Sequence, residues 1–435
     1  MDIVSYRGEG AGGGVSSALK AAVDNFADSK SRWWFLQNND LAYLNGDSRV
    51  HTVYNLENDL IQGHYRYCNE FIWPLMHDLP QFAIYKDTDR NYYREFNRQI
   101  ARVQLDSGIG SGNIFIHDYQ FALLPALLSS SQMSIFWHIP WPKKVPHHYS
   151  ESIAELAQGM LACAKIGFHT TEYAQNFIQF VRDFFPEYKV NADELVIKNR
   201  KTKKITRLLV RPLGLDLKFW KAADAKQNLS IELPDTPIIL SVDRADYTKG
   251  IMQRLEMIDY LFSAKPEFLG KLAFVQICQQ TRPGLKAFDD YWANCRDYAA
   301  EIEKRYASSN WKPLYWHTSP ISQQELSGLY KRAQVMLVNP VRDGLNLTAK
   351  EYVASLDDRN SSPGLLMLSS GAGVYNELGD QAVNVNPNSC KDACEALNYS
   401  LKMPLRMRDN RIKLMKQRLK TNSLEKWWHD FELTG

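Results

Sequence analysis

Short apolar runs recur along this chain, and each stops at a Gly, Pro, Asp, Asn, Ser or His before a helix-like stretch begins. Ile114-Phe115-Ile116 ends at His117-Asp118, Ser134 to Trp137 at His138-Ile139-Pro140, and Ile238 to Val242 at Asp243-Arg244. Val335 to Val338 ends at Asn339-Pro340, and Leu365 to Leu368 at Ser369-Ser370-Gly371. This alternation is that of parallel βαβ units and predicts an α/β fold. In an open parallel sheet, ligands bind beyond the carboxyl ends of the strands, so the polar residues at these ends are the first functional candidates. The 435 residues exceed one doubly wound domain, at roughly 150 residues per domain. A linker falls near Asn228 to Pro237, where NLSIELPDTP carries two prolines. The expected organisation is two Rossmann-like domains, residues 1–233 and 234–405. A tail, 406–435, is basic and then amphipathic around Leu424 to Phe431, suited to a helix docked on a surface.

Charge narrows the partners. With 52 Lys+Arg against 49 Asp+Glu, the formal net charge is +3, so no global field favours a polyanion and nucleic acid is not an expected partner. No apolar run reaches the roughly 18 to 20 residues that span a bilayer. The opening MDIVSYRGEGAGGG has neither a charged-then-apolar signal nor an Arg-rich transit pattern. A cytoplasmic protein without a membrane partner is the expectation. Six cysteines, Cys68, Cys163, Cys278, Cys295, Cys390 and Cys394, form no CxxC pair, which argues against a disulfide framework and a zinc site. No cofactor is expected. Nothing in the sequence announces an oligomer interface, and a homo-oligomer is compatible with it.

Several strand ends carry candidate chemistry. After the first strand, Asp2 to Tyr6, come Arg7 and then Gly8, Gly10, Gly12, Gly13 and Gly14, before a helix over Val15 to Asn25. Such glycine density lets backbone amides approach a phosphate or sugar phosphate; a flexible turn is the alternative. In SVDRADYTKG, 241 to 250, Arg244 and Lys249 stand five residues apart on a turn into the next helix. Two cations so placed can clamp a diphosphate leaving group, against the alternative of two solvated side chains. In RDGLNLTAKEY, 342 to 352, the amides of Gly344 to Leu347 open a helix and would face an anion. Glu351, one to two turns in, could take both hydroxyls of a ribose, or simply stabilise the helix start. His117-Asp118-Tyr119 and His138-Ile-Pro-Trp-Pro142 each place a histidine at a strand end, where a structural histidine is the commoner finding. Asp87-Thr-Asp89 has the DxD form of metal-dependent glycosyltransferases, but no apolar strand precedes it and a surface turn is expected. The His147-His148 dyad has no partner at metal-ligand spacing.

Taken together and in this order, HDY at 117 to 119, HIPWP at 138 to 142, SVDRADYTKG, RDGLNLTAKEY and PGLLMLSSGAGVYNEL at 363 to 378 resemble the trehalose-6-phosphate synthase family of retaining glycosyltransferases, which includes glucosylglycerol-phosphate synthases. The resemblance implies a GT-B fold, two Rossmann-like domains facing a cleft, with the C-terminal helix of 406–435 packing back on the N-terminal domain. It also implies transfer of glucose from a nucleoside-diphosphate glucose to a phosphorylated sugar or polyol. The first expectation is glucose 6-phosphate as acceptor, giving trehalose 6-phosphate. The alternatives are glucosylglycerol-phosphate synthesis and a pseudo-glycosyltransferase acting on a cyclitol phosphate.

By the same resemblance, Arg244 and Lys249 would hold the diphosphate, Gly344, Asn346 and Leu347 the phosphates, and Glu351 the ribose. Asp343, His138 and the backbone of Gly12 and Gly13 would meet the glucose ring. Arg7, Trp73, Asp118 and Arg282 would form the acceptor site, with Arg7 and Arg282 on its phosphate. Arg244, Lys249, Asp118 and His138 are the residues given catalytic work. Chemistry of this kind retains the anomeric configuration without a covalent enzyme intermediate and is expected to need no metal. Nine residues before Trp73, where the family carries a phosphate-contacting tyrosine, this chain has His64, counted here with the acceptor shell. The Arg7-to-Gly12 loop is short for the family, and Lys143-Lys-Val-Pro-His-His148 replaces its usual continuation.

Overall fold

The computed structural model of the chain describes residues 1–9, 13–46, 49–108, 112–128, 132–222, 229–357 and 364–432. Gly12, expected at the glucose, lies outside the described residues. The apolar runs are strands. Those of the first unit are β1 (Asp2–Arg7), β2 (Arg32–Gln37), β3 (Asp40–Leu44), β4 (Val50–Asn55), β5 (Ile114–His117), β6 (Met133–Trp137), β7 (Lys165–Phe168), β8 (Tyr188–Asn191), β9 (Val196–Asn199) and β10 (Ile205–Val210). Those of the second are β11 (Ile238–Ala245), β12 (Ala273–Gln280), β13 (Leu314–His317), β14 (Val335–Val338), β15 (Leu365–Leu368) and β16 (Val383–Asn384).

The first sheet runs β4-β3-β2-β1-β5-β6-β7-β10-β9-β8. Its centre from β2 to β10 is parallel, and antiparallel strands extend both edges. Continuous apolar strands such as Ile114-Phe115-Ile116 are buried, as a sheet covered on both faces requires. The second sheet, β13-β12-β11-β14-β15-β16, is parallel throughout. Strand order reverses between β1 and β5 in one sheet and between β11 and β14 in the other. Those two switch points open crevices at the carboxyl ends of the strands, where the motif residues lie.

The two compact units are Met1–Gly214 with Asn422–Gly435, and Leu215–Thr421. The helix Leu217–Ala222 belongs to the second because Trp220 is buried there, its carbonyl accepting from Ser327 Oγ at 3.1 Å and its ring 5.9 Å from Tyr330. The helix Leu424–Phe431 completes the first. Ser423 caps it by accepting the Lys426 N–H at 3.1 Å. Trp427, Trp428 and Phe431 are all buried, and the Phe431 ring stacks 5.1 Å from Phe115. Gly167 on β7 permits this approach, since a Cβ there would lie 2.4 Å from the Phe431 ring. Lys165 Nζ closes the helix end by donating to the carbonyls of Asp430 and Glu432 at 2.8 and 3.0 Å. Among the described residues no helix is long and apolar enough to cross a membrane.

Trp427→Ala should therefore cost about 3 to 5 kcal/mol, the range for removing a large buried aromatic. Chemical denaturation followed by a probe in the first unit measures it.

Candidate active site

In the second unit the crevice is built by one buried guanidinium. Arg254, on the helix Ile251–Ala264, is only 2% exposed. It donates from Nε to Asn339 Oδ1 at 2.8 Å and from Nη1 to Gln276 Oε1 at 2.6 Å, and pairs through Nη2 with Asp243 at 2.9 Å. Those partners stand on or just beyond β14, β12 and β11. Asn339 in turn donates to the carbonyl of Gly250 at 3.1 Å. Gly250 has φ 68, and a Cβ there would lie 2.2 Å from the Asn339 carbonyl oxygen, so the turn demands glycine.

That turn carries the cations. Lys249 Nζ lies 2.5 Å from Asp343 Oδ2, and Asn346 Nδ2 donates to the same oxygen at 3.1 Å. Asn346, with φ 75, caps the helix Leu347–Ser355 through Oδ1, which accepts the Ala349 N–H at 3.2 Å. The amide-bearing start of this helix therefore stands beside a lysine and an asparagine amide, a combination suited to phosphate oxygens. Gly373 lets the following loop close on it, since a Cβ there would sit 2.0 Å from the Gly344 carbonyl. Arg244, at the end of β11, is half-buried.

Two further residues complete the second unit's set. Arg282, after β12, adopts φ 50 and pairs with Asp246 at 2.6 Å, its guanidinium 4.7 Å from the Phe288 ring. Burial opposes the Asp246 charge, but Arg282, Lys249 and the Thr248 amide outweigh it and hold the carboxyl down at about 2. Glu351 Oε2 accepts from the Tyr330 hydroxyl at 3.1 Å. Burial raises the Glu351 carboxyl to about 7, against the pull of that hydroxyl. The neighbouring Lys350 is buried in a 2.5 Å pair with Glu377, which ties the helix to the segment Tyr375–Leu378.

In the first unit, a register shift between Val4 and Arg7 interrupts the β1 pairing with β2, and the exposed Arg7 follows it. Gly13 precedes the helix Gly14–Phe26 with φ 100. Asp118 follows β5 in a left-handed conformation, φ 72, costly for a residue with a Cβ and a recurrent mark of functional sites. Its Oδ1 accepts the His138 N–H at 3.1 Å. His138 Nε2 lies 3.2 Å from His117 Nδ1. Burial lowers the His138 imidazole to about 3, so it is neutral and serves hydrogen bonding rather than charge. Its Nδ1 is buried without a hydrogen-bond partner among the described residues. Trp73 opens the short helix Trp73–Met76 after a widened π-type turn over Tyr67–Ile72, and its ring is 4.1 Å from His77.

The structure thus joins Lys249, Asp343 and Asn346 directly, sets Arg244 and Arg282 on the adjoining strand ends, and joins Asp118 to His138. His64 is not brought to a surface. It is fully buried, stacked 3.7 Å from Phe96 and 5.3 Å from Tyr93, with Nε2 3.1 Å from the Gln120 carbonyl, so it packs rather than faces a ligand. The DxD segment is no surface turn either. Asp87 opens the helix Asp87–Asp106, and Asp89 is buried in a pair with Arg66 at 2.7 Å. Arg254, Asp246 and Tyr330 carry the site without having been marked in the sequence. A signal for Arg254 was present, since it falls between Ile251, Leu255 and Ile258 on the apolar stripe of its helix.

Two Rossmann-like units with cations and a helix start at the switch point of one sheet have the build of GT-B glycosyltransferases. More closely, the chain belongs to glycosyltransferase family 20, whose profile matches residues 25–433. The trehalose-6-phosphate synthase of Enterobacter sp. (strain 638) is 31% identical over 398 residues, 86% of this chain and 80% of that protein. The bifunctional trehalose-6-phosphate synthase/phosphatase of Thermoproteus tenax is 30% identical over 392 residues, 86% of this chain and 52% of that protein. The chain thus spans about half the length of the Thermoproteus protein, and 50% of a Dictyostelium discoideum relative. Among solved structures, a UDP-forming alpha,alpha-trehalose-phosphate synthase from Burkholderia xenovorans in complex with glucose-6-phosphate has a TM-score of 0.88 at 25% identity, covering 99% of this chain and 98% of that one. The E. coli trehalose-6-phosphate protein bound with UDP-2-fluoro glucose also has a TM-score of 0.88 at 25% identity, covering 100% and 99%.

Removing Arg254 with Arg254→Ala leaves Asp243 buried without its counter-ion and should cost about 3 to 5 kcal/mol, measured by urea denaturation. Glu351 gives a pH signature. Its folded value of about 7 lies above the ordinary 4.5, so its contribution is intact below the ordinary value and is lost as pH rises through 7. Glu351→Gln should therefore be more stable than the parent at pH 8 by about 1 to 2 kcal/mol, after discounting for its partial exposure, and no more stable at pH 4. Thermal melts at the two pH values compare them.

Proposed function

We propose that this protein is a retaining glucosyltransferase that moves glucose from UDP-glucose to glucose 6-phosphate, forming trehalose 6-phosphate and UDP. The observation that carries this is the Lys249–Asp343–Asn346 cluster at the start of a helix, held by Arg254. The named ligands of the related structures, a UDP sugar and glucose-6-phosphate, supply the substrates.

Arg244 and Lys249 take the diphosphate and stabilise the negative charge that grows on it as the glucose C1–O bond breaks. The amides of Gly344, Asn346 and Leu347 receive the phosphate oxygens, and the Glu351 carboxylate receives the ribose hydroxyls. Asp343, which already holds Lys249, meets the glucose ring. On the first unit, the neutral His138 offers a hydrogen bond to a sugar hydroxyl, and Asp118, Trp73 and Arg7 serve the acceptor. Arg282 on the second unit is assigned to the acceptor phosphate. The acceptor hydroxyl attacks C1 on the face the diphosphate leaves, its proton passing to a leaving phosphate oxygen, so configuration is retained without a covalent enzyme intermediate. Protein cations do the charge stabilisation, and the transfer needs no divalent metal.

UDP release from UDP-glucose should depend on glucose 6-phosphate. Release only with glycerol 3-phosphate, or none with either acceptor, contradicts the proposal. Lys249→Ala or Arg244→Ala should lower kcat/KM by the equivalent of about 2 to 4 kcal/mol, the range for removing one preorganised charge donor. Near-parental turnover in both variants would remove the diphosphate clamp from the account.

A further inference from the structure

Asp246 has no role in the transfer as described, yet three cations are turned on it. Its side chain is wholly buried. Oδ2 lies 2.6 Å from Nη1 of Arg282, Oδ1 accepts the Thr248 N–H at 3.0 Å, and the charges of Lys249 and Arg244 act on it as well. Its backbone closes the turn, accepting the Lys249 N–H at 2.9 Å and donating to the Arg244 carbonyl at 2.8 Å. The Thr248 carbonyl then accepts the Val341 N–H at 2.9 Å, which fastens the turn to the loop after β14.

Arg282 is gripped from two directions. The carboxylate holds one end of its fork, and the Phe288 ring lies 4.7 Å from its centre. Phe288 packs 5.0 Å from Tyr247, the residue after Asp246. Stability alone gives no reason for such a pair, because a buried ion pair is commonly replaceable by apolar groups without loss. Orientation does give a reason, since an arginine side chain carries rotamer freedom that a ligand must otherwise suppress.

We propose that Asp246 is a positioning residue that fixes the Arg282 guanidinium for the acceptor phosphate. This rests on the acceptor role proposed above for Arg282.

Asp246→Asn and Asp246→Ser test it, since both keep an oxygen able to accept the Thr248 N–H while losing the charge that faces Arg282. Arg282→Ala is measured beside them, and active enzyme is counted by UDP binding, so a misfolded fraction does not enter the constants. The expected result is a KM for glucose 6-phosphate raised about tenfold or more, the scale of one charge-assisted hydrogen bond. Inhibition by inorganic phosphate should weaken in parallel, with kcat and UDP affinity near parental. An unchanged KM, or losses spread equally over kcat, KM and UDP affinity, overturns the proposal by making the pair structural. If Arg282→Ala leaves KM and phosphate inhibition unchanged, the acceptor role of Arg282 itself fails, and the proposal fails with it.

Discussion

The second unit's candidate site depends on a single guanidinium taken out of water. From its helix, Arg254 meets Asn339, Gln276 and Asp243, and so ties together the central strands β14, β12 and β11. Burying that charge is costly, and a carboxylate with two amide oxygens around it offsets the cost. The gain is geometric, because the Lys249 turn and the Asn346 cap hang from strand ends that cannot shift independently. A site for a diphosphate needs such fixed cations, since charge stabilisation is effective when its donors do not have to reorganise as the bond breaks.

Around that anchor, cations and carboxylates alternate. Lys249 is balanced by Asp343, Arg282 by Asp246, and Lys350 by Glu377. Without such partners, neighbouring cations in a half-buried crevice would repel one another and lower their own charge. Glu351 shows the opposite condition. Burial raises its carboxyl to about 7, and the hydrogen bond from the Tyr330 phenol offsets only part of that rise. A group held in this state destabilises the fold near neutral pH, the usual mark of a residue kept for a ligand. The first unit relies less on charge, with a neutral imidazole at His138 and a strained backbone at Asp118.

Much of this was legible in the sequence, and the reason is periodicity. Short apolar runs such as Ile114-Phe115-Ile116 and Leu365 to Leu368, closed by turn residues, read as buried strands, and the polar residues that close them stand at the strand ends. The Leu424–Phe431 helix announced itself by its amphipathic pattern. What stayed hidden was pairing across the chain. Asp89 read as a surface turn because its partner Arg66 lies 23 residues away, and His64 read as an acceptor contact because nothing local reveals the Phe96 and Tyr93 rings that enclose it. Asp246 was visible in its motif, but the identity of its partner, Arg282 on another strand, is a tertiary fact.

In the proposed transfer, protein cations positioned by a buried guanidinium drive a configuration-retaining exchange between two glucose units. The most direct measurement is an NMR spectrum of the product formed from UDP-glucose and glucose 6-phosphate with a chelator present. The expected product is a 1,1-linked disaccharide phosphate with both anomeric centres α. A β centre at the transferred glucose, or product only after a divalent ion is restored, would contradict it.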